Sequence, residues 1–486
     1  MQLLLLLIVC LAFVPLPGGT PPFGALASSL TIWGGVGALF LSAWCWSQYL
    51  SRRLVAQPAR RQLDLRLYSR VRLAHSLANI LWYLLSLFGL GWGAVVRTEW
   101  HLDNLVLIDE LLVLAPFLVG QCLEWLAFYG TEKTLHLTSS RSDDQHFWGR
   151  FEYLAYHVRF YLGLVLAPIL IFTAGQEALL LWMPWAEDQL WFVLVSAGLL
   201  SVVILILAPV LLKVLWQARP LPAGPLRQRL EAVARRLRFR YTDILLWRTR
   251  SGLANALVTG VFPFPRYVLL SDGLLQGLTP KQIEAVFGHE IGHVKHHHML
   301  LYLTFMVLSL LLLTLSAQLA LPPLPEEEPD YLVWLADWWQ QREVWLPSLG
   351  GLVFLGGYIW LVFGLLSRRC ERQADVFGCK TVSCDNPHCP GPICAGAEDA
   401  SDRLGLCPAG VRTFIEALER VAELNGIRKE KPSWRHASIA RRVAFLEALL
   451  KEPGLEPRFQ KRLLWIKIAL VATLAAAVIV LAVLCY

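Results

Sequence analysis

The sequence has few charged residues. Asp, Glu, Lys and Arg together make up 17% of its 486 residues, whereas soluble proteins average about 25%. Apolar residues account for 56%, and the mean hydropathy is +0.49. This composition indicates a membrane protein. The chain also has no glycine-rich phosphate loop, so nothing in it indicates a nucleotide site.

Eight apolar runs are long enough to cross a bilayer, which takes about 20 residues as a helix. We predict spans near residues 28–50, 74–96, 104–129, 157–174, 190–216, 299–321, 345–366 and 463–485. A further apolar run, 2–16, lacks a basic n-region and is either a short first span or a signal-like segment. The predicted fold class is therefore mainly α, with a polytopic membrane helical bundle of about 8–9 spans.

Loop charge predicts the orientation of the chain. Residues 51–72 carry seven arginines and one acid, and residues 217–250 carry nine arginines and two acids. In contrast, residues 175–189 hold three acids and no base, and residues 322–344 hold six acids and one arginine. Basic loops stay in the cytoplasm. The net charge of +7 therefore reflects membrane topology, and we expect no nucleic-acid partner.

The predicted spans divide the chain into five parts. These are an N-terminal transmembrane region (1–216), a first soluble segment (217–298), two spans (299–366), a second soluble segment (367–462) and a C-terminal span (463–486). Both soluble segments fall on the cytoplasmic side, and both must contribute if they form one site. Within them we predict a basic amphipathic helix over 226–237, extended runs at 243–247 and 267–270, and a helix over 438–450.

A further helix is predicted to begin at residue 280. Thr279 can cap it, Pro280 suits its first position, and Gln282 completes a capping box with the threonine. Apolar residues then recur at helical spacing as far as Ile291. The helix therefore includes the most informative motif of the chain.

His289, Glu290 and His293 form the motif His-Glu-x-x-His on this helix. The two histidines are four residues apart, so both imidazoles project from one face and can bind a single zinc ion. Glu290 lies beside them, where it can take a proton from a metal-bound water. The alternative is a helix with surface histidines, because three more follow at 296–298.

A catalytic zinc takes three protein ligands, and the best candidate for the third lies in residues 367–375. Glu371 and Asp375 are four residues apart and follow an apolar segment, so a carboxylate from a second helix would complete a His₂Glu site. Asp375 is placed to accept the ring N–H of a ligand histidine. The alternative is an arginine-rich turn that faces lipid headgroups.

These motifs resemble those of the membrane zinc metalloproteases that include the CAAX prenyl proteases and the HtpX heat-shock proteases. The similarity covers about residues 217–450. The matching residues are Asn255-Ala256, Ser271 through Leu275, His289 through His293 with His298, Ser367 through Asp375, and His436 with Arg442. The resemblance implies a small zincin-like (gluzincin) α+β catalytic domain at the cytoplasmic face.

The resemblance also implies roles for single residues. Glu371 would be the third zinc ligand, and Asp375 and Arg442 would support the ligand shell. Asn255 and His436 would hold the substrate or the developing oxyanion. The implied activity is that of an integral-membrane zinc metalloendopeptidase acting on membrane-associated or misfolded polypeptides. The alternatives are an intramembrane regulatory metalloprotease and a catalytically silent scaffold or chaperone-like membrane protein.

A cysteine cluster follows the third candidate ligand. Cys379, Cys384, Cys389 and Cys394 recur every five residues, with prolines and glycines among them. Disulfides are disfavoured in the cytoplasm, and tetrahedral zinc on thiolates would order such a loop. The gaps are wider than the usual C-x₂-C spacing. The cysteines therefore either bind a second, structural zinc or remain free thiols. Disulfides would require the opposite membrane topology.

Overall fold

The computed structural model describes residues 23–56, 60–102, 107–138, 147–186, 189–249, 253–320, 357–384, 406–431, 437–452 and 454–484. Within them the chain is mostly helical with one small sheet, which confirms the predicted fold class. The chain divides into two compact units. One is Met1–Ile204 with Pro325–Asp337, and the other is Leu205–Leu324 with Trp338–Tyr486.

The described part of the first unit is helical. Its helices are α1 (Ala25–Ala56), α2 (Arg61–Leu84), α3 (Ile108–Leu137), α4 (Arg150–His157) and α5 (Leu164–Trp182). Short helical segments, Leu85–Gly89, Trp92–Ala94, Val95–Glu99 and Val158–Gly163, lie between them. A further helix, α6 (Leu190–Leu215), begins in the first unit and ends in the second.

In the first unit, α1 packs along α3. Ile32, Ala43 and Leu50 are buried at spacings that place them on one face of α1, as expected for a helix that contributes one side to a bundle. Polar groups pair across the same contact, where Ser47 Oγ and Thr131 Oγ1 lie 2.9 Å apart. Such hydrogen bonds between helices satisfy polar groups that membrane lipid could not.

Six described helical regions are long and apolar enough to cross a membrane. They are Ala25–Ala56, Arg61–Gly89, Ile108–Leu137, Arg150–Trp182, Val195–Leu215 and Leu455–Val480. Each overlaps a predicted span. The predicted span 299–321 coincides with the helix His298–Ala320. Most of the predicted span 345–366 and the whole of 2–16 lie outside the described residues.

The second unit contains the sheet and eight α-helices after α6, counted over the described residues. The elements are β1 (Arg219–Pro220), α7 (Pro225–Arg236), β2 (Asp243–Trp247), β3 (Ala256–Thr259), β4 (Tyr267–Ser271), α8 (Asp272–Gly277), α9 (Pro280–Lys295), α10 (His298–Ala320), α11 (Gly364–Thr381), α12 (Pro408–Leu424), α13 (Ile439–Lys451) and α14 (Leu455–Leu484). The short helices and strands predicted within the soluble segments are confirmed to within one residue at each end.

The four strands lie in the order β1-β2-β4-β3. β2 and β4 are parallel, with Leu245 opposite Leu269, and β3 pairs antiparallel with β4 at an edge of the sheet. Val268, Leu269 and Leu270 of β4 are fully buried. A strand buried on both faces is expected at the centre of a sheet that helices cover. This sheet is the platform on which α9 packs.

α9 begins at the predicted cap. Thr279 Oγ1 accepts from the Gln282 N–H, and Gln282 Oε1 accepts from the Thr279 N–H at 3.0 Å. Further along, α9 packs closely on α11 at two glycines. A Cβ on Gly292 would lie 3.2 Å from Ala374 Cα, and one on Gly288 would lie 2.5 Å from Thr381 Cβ. Glycine is therefore required at this contact, which brings together the two helices that carry the candidate ligands.

Candidate active site

Two histidines of α9 and a glutamate of α11 point at a common position. His289 Nε2 and His293 Nε2 lie 3.2 Å apart. Glu371 Oε2 is 3.9 Å from His289 Nε2, and Glu371 Oε1 is 3.8 Å from His293 Nε2. Among the residues that the structure describes, no other group of three histidine, cysteine or acidic side chains converges in this way. Two imidazole nitrogens and one carboxylate are a donor set that zinc prefers.

The other ring nitrogen of His289 faces Asp375 on α11. Nδ1 lies 3.0 Å from Asp375 Oδ1. Arg442 of α13 donates two hydrogen bonds to the same carboxylate, one of them from Nε to Oδ2 at 2.8 Å. Burial alone would raise the pKa of the fully buried Asp375, but the charge and hydrogen bonds of Arg442 outweigh it and lower that pKa. The carboxylate therefore stays charged and orients His289 with Nε2 toward the ligand position.

His293 is held by a chain of hydrogen bonds that runs to α14. Its Nδ1 is 3.0 Å from His298 Nδ1, and His298 Nε2 is 2.9 Å from Gln373 Oε1. Gln373 Nε2 donates to Gln460, and Lys467 Nζ donates to Gln373 Oε1 at 3.2 Å. With His293 Nε2 as a ligand, its Nδ1–H donates to His298, and the Nε2–H of His298 donates to Gln373. One assignment of protons thus satisfies the whole chain.

Burial also sets the charge of His293. It lowers the pKa of that imidazole to about 4, and the neighbouring His289 acts in the same direction. In His289 itself, burial is outweighed by Asp375, which raises the pKa. His293 is therefore held neutral, the form in which an imidazole binds a metal, whereas a metal at His289 would have to displace a proton.

Glu290 lies on α9 between the two histidines and faces the edge of the sheet. Its Oε2 accepts a hydrogen bond from the Val258 N–H of β3 at 3.2 Å. Burial raises the pKa of Glu290 to about 7; His289 opposes this shift, and the negative charge of Glu371 adds to it. A carboxyl group with a pKa near neutrality can take up and release a proton within one reaction cycle.

Residues 220–387 match the sequence profile described as "Peptidase family M48". This range contains His289, Glu290, His293 and both acidic residues of α11 that face them. Residues 220–387, which include these side chains, are therefore similar to peptidase family M48.

Several proteins similar to this chain are named as proteases. A protease HtpX homolog from Moorella thermoacetica is 26% identical over 209 residues, which are 41% of this chain and 64% of the relative. A CAAX prenyl protease 1 homolog from Arabidopsis thaliana is 34% identical over 118 residues, 24% of this chain and 27% of the relative. A CAAX prenyl protease 1 homolog from Dictyostelium discoideum is 30% identical over 205 residues, which are 40% of this chain and 46% of the relative. The chain thus spans less than two thirds of each relative.

Solved structures are also similar to this chain, and the crystal structure of S. mikatae Ste24p is among them. In this crystal structure, the matched chain is 17% identical in sequence to this one. The match covers 85% of this chain and 97% of the Ste24p chain, with a TM-score of 0.40. The resemblance to HtpX and CAAX prenyl proteases that the motifs predict is confirmed by the named relatives and by the M48 match.

The structure describes only one of the two predicted substrate-binding residues. Asn255 is exposed and directly precedes β3. Its N–H donates to Ser271 Oγ at 2.8 Å, and its carbonyl accepts from the Ser271 N–H at 3.0 Å. The backbone is therefore fixed to the end of β4, while the role of the Asn255 side chain stays a prediction. His436 lies outside the described residues.

The cysteines next to the candidate site lie in different surroundings. Cys379 is fully buried in an apolar cluster around Val376, and burial raises its pKa well above the usual value. Cys407 caps α12, its Sγ accepting from the Gly410 N–H at 3.3 Å, and Cys384 packs near it. Cys389 and Cys394 lie outside the described residues. The second zinc site stays a prediction, and at Cys379 it would require ionising a thiol inside an apolar core.

Proposed function

We propose that the chain is an integral-membrane zinc metalloendopeptidase that hydrolyses peptide bonds of membrane-associated or misfolded polypeptides at the cytoplasmic face. One observation carries the proposal: three ligand atoms converge, and a carboxyl group with a pKa near 7 lies beside them. The lipid bilayer and a polypeptide substrate are the expected partners. The basic loops at 51–72 and 217–250 support the cytoplasmic orientation.

His289, His293 and Glu371 would hold the zinc ion, which when bound acidifies a water molecule and polarises the peptide carbonyl. Glu290 accepts the proton of the attacking water and delivers it to the leaving amine. The hydrogen bond from the Val258 N–H keeps the Glu290 carboxylate close to the sheet edge. Asn255, at the start of the edge strand, and His436 would hold the substrate or its developing oxyanion.

The edge strand gives the substrate a place to bind. β3 pairs with β4 on one side, and its Val258 N–H donates a hydrogen bond to the Glu290 carboxylate. An extended peptide can align with such an edge through main-chain hydrogen bonds, largely independent of its sequence. This arrangement would bring a scissile carbonyl next to Glu290 and suits an endopeptidase that accepts varied chains.

Zinc content tests the proposed metal site. The full chain is purified in detergent and its metals are measured by elemental mass spectrometry, with His289→Ala beside His297→Ala, an exposed histidine past the end of α9, as the matched control. We expect His289→Ala to lose one zinc and His297→Ala to lose none. A fall from two to one would also support the cysteine site. Zinc content unaffected by His289→Ala would contradict the proposed function.

The hydrogen-bond chain behind His293 gives a second test. Gln373→Leu removes the acceptor for His298, so we expect zinc affinity to fall about 10- to 100-fold, as for other partners of metal-bound histidines. Gln373→Glu keeps that acceptor beside Lys467 and should retain most of the affinity. Competition with a chromogenic chelator measures both. Equal affinities of the Leu and Glu variants would show that the chain does not act on the metal.

A further inference from the structure

The loop between β3 and β4 exposes two aromatic rings. It spans residues 260–266, with the sequence Gly-Val-Phe-Pro-Phe-Pro-Arg, and is called here the Phe-Pro tip. Phe264 is 77% exposed and Phe262 is 45% exposed. Single exposed apolar residues are ordinary on protein surfaces, but two phenylalanines at the end of one short loop form an apolar projection.

The Phe-Pro tip is held in one shape by Arg266. This buried side chain donates from Nε to the Gly260 carbonyl at 3.1 Å and from Nη2 to the Val261 carbonyl at 2.6 Å. It also donates from Nη1 to the Arg240 carbonyl at 3.0 Å, and its guanidinium lies 5.6 Å from the centre of the Phe239 ring. The tip is thus tied at both ends, and both phenylalanines are presented outward without a further loss of loop entropy on binding.

One contact places the base of the tip beside the end of an apolar helix, and a second places the neighbouring segment 238–240 beside another. Tyr267, which follows the tip, lies under Lys213, with Nζ 5.2 Å from the ring centre. Lys213 is in the last turn of α6, which is a candidate membrane span. In the segment 238–240, to which Arg266 is hydrogen-bonded, the Arg238 carbonyl accepts from Lys295 Nζ at 3.3 Å. Lys295 ends α9, directly before the apolar helix α10.

The same region carries exposed positive charge. Lys295, Arg238 and Arg240 are all exposed. Aromatic rings flanked by lysine and arginine are characteristic of segments that lie at a membrane interface, where the rings enter the acyl boundary and the cations meet lipid phosphates. A polypeptide is a poorer occupant, because Pro263 and Pro265 have no N–H to offer an extended peptide.

We propose that the Phe-Pro tip inserts Phe262 and Phe264 into the interfacial layer of the membrane that α6 crosses. The exposed cations Arg238, Arg240 and Lys295 lie over its lipid phosphates. The tip follows directly from β3, so this contact fixes the height of the sheet edge above the membrane. This interaction does not depend on the proposed peptidase activity.

Photocrosslinking tests the proposal on the full chain. The photoreactive residue p-benzoylphenylalanine replaces Phe264 in protein reconstituted into nanodiscs of phosphatidylcholine with phosphatidylglycerol. The matched control carries it at Ile427, which is 50% exposed. Ile427 closely follows Asn425, whose side chain binds Ala254 at the opposite end of β3 from the tip. Size-exclusion profiles identical to wild type verify that both chains are folded, and adducts are assigned by mass spectrometry.

We expect about tenfold more lipid adduct at position 264 than at position 427, because burial of a phenylalanine ring favours the inserted state by at least this factor. Equal lipid labelling at the two positions would overturn the proposal. Labelling of polypeptide instead of lipid at position 264 would also overturn it and assign the tip to protein binding. Neither result bears on zinc content, so a failure here is distinct from a failure of the peptidase assignment.

Discussion

Glu290→Gln is expected to lower kcat for peptide hydrolysis about 10²- to 10⁴-fold, the usual contribution of a general acid–base group. The amide has nearly the same shape, and its carbonyl can still accept the hydrogen bond from the Val258 N–H. It cannot take the proton of the attacking water. Zinc content should therefore be unchanged while hydrolysis of an unstructured test peptide is lost.

Glu284→Gln is the matched control for this experiment. Glu284 is a buried carboxylate on the same helix, paired with Arg229 at 2.6 Å and Lys281 at 3.3 Å, away from the ligand atoms. Its amide variant should keep near wild-type turnover. Substantial activity in Glu290→Gln would remove Glu290 as the base. If that variant retains a non-proteolytic membrane function, the scaffold alternative gains support.

Arg442→Met should be the most destabilising substitution in the site. Arg442 and Asp375 are both buried, and the two residues share two hydrogen bonds. Removing the arginine leaves a buried carboxylate without its counter-charge, which typically costs about 3–5 kcal/mol. The orientation of His289 depends on the same carboxylate, so zinc affinity should fall as well. Thermal unfolding in detergent and chelator competition measure the two effects.

Two further variants separate charge from packing. In Asp375→Asn/Arg442→Met the buried charge is removed together with its partner, so part of the stability should return while zinc affinity stays low. Arg420→Met breaks an exposed pair with Glu423 at 2.8 Å and should cost at most about 1 kcal/mol. A loss in Arg442→Met no larger than in Arg420→Met would show that the buried pair does not hold the site together.

Local patterns were sufficient to predict the elements that carry the site. The cap at Thr279 and the spacing of His289 and His293 lie within one helix, so neighbouring residues contain the information. The strands at 243–247 and 267–271 are short apolar runs between turns, which is also a local signal. The long apolar runs likewise predicted the candidate spans.

Contacts between residues that are distant in the sequence could not be predicted from local patterns. Nothing near Gln373 in the sequence signals its contacts with His298 and Lys467, because these depend on how α10, α11 and α14 pack. Arg442 as a partner of the ligand shell came only from the family resemblance. The fit of Gly292 against Ala374 is likewise visible only after both helices are placed.

The order of these elements along the chain has a consequence for biosynthesis. A ribosome delivers His289 and His293 first, then α10, and only afterwards Glu371, Arg442 and the last helix. The nascent polypeptide therefore carries the His-Glu-x-x-His motif without Glu371, the proposed third ligand, until the intervening segment has been made. For the proposed peptidase, hydrolytic competence is therefore deferred until Glu371 and Arg442 have been synthesised.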